Sequence, residues 1–170
     1  MAYDSKPVAT NGPLGSLITA AQNGQLSVSY STDVTVNADE FALIERDCVA
    51  MKAELRKLQV QAQSISDQSN WGLGENEDRL ISAKTLVPRL RSKAAKVNSS
   101  DSDNNLFDIF QKHYRIVDDY QNLHKEIAQQ YCAQDEQFAA EYRKLLANAP
   151  ASPIGKTTTQ PGVTPGIGLS

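Results

Sequence analysis

Between Phe41 and Ile65 the apolar and small side chains fall at Phe41, Ile44, Cys48, Met51, Leu55, Leu58, Ala62 and Ile65, in strictly alternating steps of three and four. Side chains spaced in this way share one stripe of an α-helix, and so narrow a stripe needs a partner helix to cover it. No Gly or Pro interrupts residues 38–69, so the helix can run ~45 Å at 1.5 Å per residue. Asn37 followed by Glu40 reads as a capping box: a side-chain oxygen and a carboxylate satisfy the first unpaired amides, which starts the helix at about residue 38. Glu45, Lys52, Glu54, Arg56, Lys57 and Gln61 form the opposite, solvated face.

The run Asn70-Trp71-Gly72-Leu73-Gly74 ends that helix. Gly72 can take the left-handed conformation of a helix terminus, Gly74 frees the chain to reverse, and Glu75, Glu77 and Asp78 favour a new helix start through the helix dipole. Leu80, Ala83, Val87, Leu90, Ala94 and Val97 resume the three-four spacing, which predicts a second helix over about 76–97, antiparallel to the first and kinked at Pro88. The polar run Asn98 to Asn105 breaks the chain. Phe107, Phe110, Tyr114, Val117, Tyr120, His124, Ile127, Tyr131, Phe138, Tyr142 and Leu145 then predict a third helix over 104–148. It outreaches the second helix, so its aromatic stripe is expected either to overhang or to be covered by a partner chain. The connector is long enough for reversal, so the expected fold is all-α: an antiparallel helical hairpin extended to a three-helix up-down-up bundle over 38–148.

The flanks read differently. Residues 1–37 are rich in Ser, Thr, Asn, Gly and Pro around the apolar cluster Leu14, Leu17, Ile18, Ala20 and Ala21, which predicts a mostly irregular, disordered arm with one helical turn. Residues 149–170 hold Pro150, Pro153, Pro161 and Pro165 among Gly and Thr, which predicts a disordered tail.

A formal charge of −3 provides no global attraction for phosphate backbones, so nucleic acid is not an expected partner. No stretch approaches the ~18 to 20 apolar residues of a membrane span, and Met1 to Pro13 lacks the basic and apolar regions of a cleaved signal. Cys48 and Cys132 are too few for a disulfide framework or a Cys-based zinc site; Cys48 is expected to be a small buried hydrophobe, and an exposed Cys132 could crosslink two chains.

No nucleophile elbow, phosphate loop or paired-carboxylate motif is present, so no catalytic, cofactor-binding or metal-ligating residues are assigned and a non-enzyme is expected. His113 and His124 lie eleven residues apart, ~16 Å along a helix, too far to chelate one ion by themselves. His124 is expected to be a hydrogen-bonded packing residue. Asp118 and Asp119 with His124 lack the paired Glu-x-x-His motifs of di-iron bundles. Lys84, Arg89, Arg91, Lys93 and Lys96 concentrate positive charge late in the second helix, as a solvated face or as a docking point for an acidic partner.

The segments Trp71 to Lys84 and His113 to His124 resemble helical proteins associated with the type VII (ESX) secretion systems of actinobacteria, whose Trp-x-Gly helical hairpins are exported. The resemblance covers about residues 38–145. It implies that Trp71 packs between helices at a turn made with Gly72 and Gly74, that two hairpins pair into an elongated four-helix dimer, and that a Tyr-x-x-x-Asp/Glu element contributes to export. Tyr131 with Asp135 fits that element, and Tyr114 with Asp118 fits it as a second candidate. On a continuous helix Tyr131 and Asp135 project from one face. The functional expectation is a secreted or cell-envelope helical protein that associates through its heptad faces with a protein partner or itself, and engages type VII secretion machinery. The alternative is a cytoplasmic helical adaptor or chaperone-like scaffold.

Overall fold

A computed structural model of the chain describes residues 12–27, 36–95 and 104–156. The described residues are all-α, with α1 over Gly15–Gln22, α2 over Ala38–Asp67, α3 over Ile81–Ala94, α4 over Leu106–Gln134 and α5 over Glu136–Asn148. Residues 1–11, 28–35, 96–103 and 157–170, and the expectations that fall on them, lie outside this description.

α2 begins where its cap predicts: Asn37 is extended and its side chain accepts from the Asp39 amide. The arm that returns along α2 is α4, not α3. Lys52 meets Asp118 at 2.6 Å, Gln59 donates to Gln111 at 3.0 Å, and Lys125 meets Glu45 at 2.9 Å. As the number rises on α2 it falls on α4, so the two helices are antiparallel. Length explains the choice of partner. The 30 residues of α2 and the 29 of α4 both span ~45 Å, whereas the 14 of α3 span ~21 Å and could cover less than half of the stripe.

The second helix is therefore shorter than the expected 76–97. Glu75 does not open a helix, because its carboxylate turns back to accept from the Trp71 and Leu73 amides. Successive turns over 74–80 follow, with Glu77 donating to Gly74 and Leu80 to Glu77. Gly72 and Gly74 take positive φ, +70° and +82°, but α2 already ends at Asp67 with Gln68 as its cap, so Gly72 shapes the turn beyond the helix rather than its terminus. The far end of α3 then meets the end of α2: the Ser66 hydroxyl donates to the Arg91 carbonyl at 3.2 Å, and the Arg91 guanidinium donates to the carbonyls of Gln68 and Ser69. In an antiparallel hairpin turning at Trp71, the start of α3 would be found there instead. α3 continues as helix through Pro88.

The expected helix over 104–148 is broken at Asp135. That residue is extended, φ −134° and ψ 111°, and its carboxylate accepts from the amides of Gln137 and Phe138, so it caps a new helix. The break reverses the chain, and α5 runs back parallel to α2: Phe138 lies against Phe41, and the Tyr142 hydroxyl donates to Glu45 at 2.6 Å. The C-terminal part of the aromatic stripe, Tyr131, Phe138 and Tyr142, thus needs no partner chain to cover it. It closes on Ala38, Ala42 and Ala128 as the main buried cluster, with Phe41, Tyr131, Cys132 and Leu145 around it. Small residues at Ala38, Ala42 and Ala128 let three helix backbones approach while the rings of α5 fill the space between them.

Two flanking expectations also change. α1 is a two-turn helix on α4 rather than part of a disordered arm. The Leu14 amide donates to buried Asp119 at 3.0 Å, Gln22 to Glu126, and Gln130 back to the Ala21 carbonyl, while Ile18 is 1% exposed. A side chain at Gly12 would run into the Asp119 carboxylate, which would have to shift from its bond to the Leu14 amide. At the other terminus, residues 149–156 cross α2 as a strap. Arg46 donates to the Pro150 carbonyl at 3.1 Å, and the Ser152 hydroxyl donates to Asp47 at 2.6 Å.

The strap should be sensitive to acid. The Ser152 hydrogen bond, and to a lesser degree Arg46, hold the Asp47 carboxyl below its ordinary value. A carboxyl depressed in the folded state contributes stability above its unfolded value, near 4, and loses it as the pH falls through the folded value. The Ile154 amide, which donates to the Ser152 oxygen at 3.1 Å, is expected to show an NMR chemical-shift titration below pH 4. Asp47→Asn should abolish that titration.

Candidate functional site

α4 carries two adjacent ladders. The inner one faces α2: Gln111 bonds Gln59, Tyr114 lies 4.0 Å beneath the Arg56 guanidinium, and Asp118 pairs with Lys52. The second ladder is Leu106, Ile109, His113, Ile116, Tyr120, Leu123 and Ile127, again in steps of three and four. It looks out beside α2, with Ile116 48% exposed and Tyr120 exposed as well.

α2 mirrors this division. Within its ladder, the seven-spaced set Phe41, Cys48, Leu55 and Ala62 turns inward, with Cys48 and Ala62 buried. The alternate set Ile44, Met51, Leu58 and Ile65 stands at the edge, and Met51 is 44% exposed. A two-helix pair can bury only one side of each stripe. The other sides line up as a seam that a further helix would complete, because rows spaced by three and four accept the ridges of another helix.

Cavities mark both ends of the seam. One of about 280 Å³ lies among Phe41, Ile44, Tyr120, Leu123, His124 and Ile127. The other, about 520 Å³, lies under α3 between Ile65, Trp71 and Ile109. A wider depression of about 930 Å³ on the opposite side is lined by Arg56, Gln59, Gln63 and Asp67. These polar groups pair among themselves, Gln63 with Asp67 and Arg56 with Gln59, and leave little to recognise a ligand.

His124 sits at the wall of the first cavity, its ring 4.5 Å from Phe41 and 6.1 Å from Tyr120. It packs as expected, but its Nδ1 has no hydrogen-bond partner. Burial pulls its pKa down, against the opposing pull of Glu45, which keeps the ring neutral near pH 7. His113 is engaged elsewhere, its Nδ1 2.8 Å from the Ile109 carbonyl. Among the described residues no group of His, Cys, Asp and Glu is arranged to hold a metal, and no helix is long and apolar enough to cross a membrane.

The sequence candidates are placed as follows. Trp71 is half-buried, and its indole donates to the Gln68 carbonyl at 3.2 Å. It lines the cavity beneath α3 together with Leu90 and Ile109. Tyr131 is half-buried between Phe41 and Phe138, whereas Asp135 is exposed beyond the end of α4 as the cap of α5. The two are joined by the Asp135 amide donating to the Tyr131 carbonyl, and they do not share the face of one helix. Tyr114 and Asp118 belong to the α2 contact described above. Both cysteines are free thiols; Cys48 is buried and Cys132 half-buried, and burial raises the pKa of each. Neither has the depressed pKa of a reactive thiol.

Asp135 also yields a direct test of the break. Asn caps almost as well as Asp, so Asp135→Asn should leave stability within ~0.5 kcal/mol, while Asp135→Ala should cost about 1 kcal/mol. Urea unfolding followed by circular dichroism measures both.

No family model matches the chain, and neither a curated protein nor a solved structure matches it.

Proposed function

We propose that the protein acts by helix-helix association, and that it is a type VII secretion-associated substrate or a partner of one. The observation that carries the first part is the seam: two antiparallel helices ~45 Å long that present aligned apolar rows to solvent. The second part rests on the resemblance of the segments around Trp71 and His113. In this reading the helical hairpin is the α2/α4 pair, with the Trp71 turn and α3 inserted at its tip rather than forming the return arm.

The export element is then the corner between α4 and α5, where half-buried Tyr131 adjoins the exposed charge of Asp135. The culture medium of cells with and without a working type VII system tests this. The protein should accumulate in the medium only when the system works, and equal amounts in both would sink the proposal. Tyr131→Phe keeps the ring packed, and Asp135→Asn keeps the cap, so the pair should cut export while leaving the fold intact. A protein that stays inside the cell yet binds others through the same seam would instead be a helical adaptor or scaffold.

A further inference from the structure

The cavity beneath α3 has the build of a ligand pocket in its own right. Its walls are Ile65, Trp71, Leu90, Ala94, Leu106 and Ile109, and its volume, about 520 Å³, falls within the ~300–1,000 Å³ of small-molecule sites. The polar groups at its edge are Lys93 and Asn104, with the Lys93 ammonium 3.4 Å from the Asn104 carbonyl. Lys93 is exposed.

Lys93 is the one charged residue among those that line the cavity. From Arg79 to Ala95 the chain holds Arg79, Lys84, Arg89, Arg91 and Lys93 and no acidic residue, although the whole molecule carries −3. Arg91 is tied to the carbonyls of Gln68 and Ser69, and Lys84 to Asp78. Glu75 is likewise held, by the Trp71 and Leu73 amides, so Lys93 is the cation at the rim, where it favours an anionic head group over a cationic one.

We propose that this cavity binds the alkyl chain of an anionic amphiphile, such as a fatty acid or a single-chain phospholipid, with its head group at Lys93. Apolar walls take the chain; the rim selects the charge. The site is separate from the open part of the seam between Ile44 and Leu58, and it goes beyond helix association, because α3 and Trp71 supply one of its walls.

Trp71 is the chain's single tryptophan, so its fluorescence reports on this wall alone. Purified full-length protein is titrated with dodecanoate below its micelle concentration, with dodecyltrimethylammonium as the cationic counterpart, and with phosphatidylglycerol vesicles. The expected result is a saturable blue shift with dodecanoate, and affinity up to about fivefold lower for the cation, the size of one exposed ion pair. Ile109→Phe, which fills the cavity, should remove the response. Lys93→Glu, at an exposed position that leaves folding intact, should abolish the preference for the anion. A linear, unsaturable change would overturn the proposal, as would equal affinity for both head groups. A response to vesicles alone would also overturn it, by placing binding at a membrane surface rather than in the cavity. None of these outcomes bears on whether the seam binds protein.

Discussion

Phe138→Ala is expected to lower the unfolding free energy by about 3 kcal/mol, a shift of roughly 10 °C in Tm. Phe138 is 7% exposed, and its ring meets those of Phe41, Tyr131 and Tyr142 at centroid distances of 5.7, 5.6 and 6.0 Å. Truncation removes buried apolar area and three ring contacts at once, and leaves a void between α2, α4 and α5. The neighbouring Tyr142 to Glu45 bond would then face water, so the loss should begin with the release of α5 rather than with the separation of α2 from α4. Chemical denaturation followed at 222 nm gives the magnitude, and amide exchange along 136–148 gives the order of events. Val60→Ala, at a side chain 70% exposed, is the matched control and should stay within ~0.5 kcal/mol.

The second large effect is on association. Met51→Glu together with Ile116→Glu places one carboxylate on each row of the seam. Both side chains already keep nearly half of their surface in water, so the isolated protein should lose no more than about 1 kcal/mol. A partner helix, in contrast, would have to bury two unpaired charges at the centre of the contact. Its affinity should fall by about 100-fold or more, as charge does when placed in a desolvated core of an interface. The same substitutions at Gln61 and Gln63, on exposed parts of α2 away from the seam, should leave association unchanged.

Local punctuation was the most legible part of the fold. Asn37 caps α2 as its chemistry predicts, and Asn105 caps α4 by accepting from the Asp108 amide, just where the polar run 98–105 predicts a break. What the periodicity could not determine was pairing. Both α3 and α4 offer a three-four stripe to α2, and only their lengths, with the behaviour of Glu75, decide between them. The break at Asp135 was hidden for a related reason. Gln134-Asp135-Glu136 holds no Gly or Pro, and an Asp inside a helix looks the same in sequence as an Asp that caps the next one. The strap went unread because Pro150 and Ser152 gain their order from Arg46 and Asp47, more than a hundred residues away.

The candidate site was half legible. The α2 ladder was evident, but it was read as a single buried stripe, whereas its alternate members look outward. The second ladder on α4 has the same spacing one position away from the aromatic one. It was masked because the aromatic residues drew the stripe toward Phe107 and Tyr114, and Leu106, Ile109, Ile116 and Leu123 were left out. Asp119 is buried because α1 returns to it; no local pattern announces a contact across that distance.

Site-specific photo-crosslinking in the producing cells tests the seam most directly. A photoreactive amino acid replaces Ile116 on the seam or Gln61 on the exposed back of α2, and adducts are resolved by mass. A protein that works by helix association through the α2/α4 seam should give a discrete protein adduct from position 116, lost when Met51→Glu is added, and none from position 61. Equal adducts from both positions, or none from position 116 while the protein is folded and abundant, would contradict it.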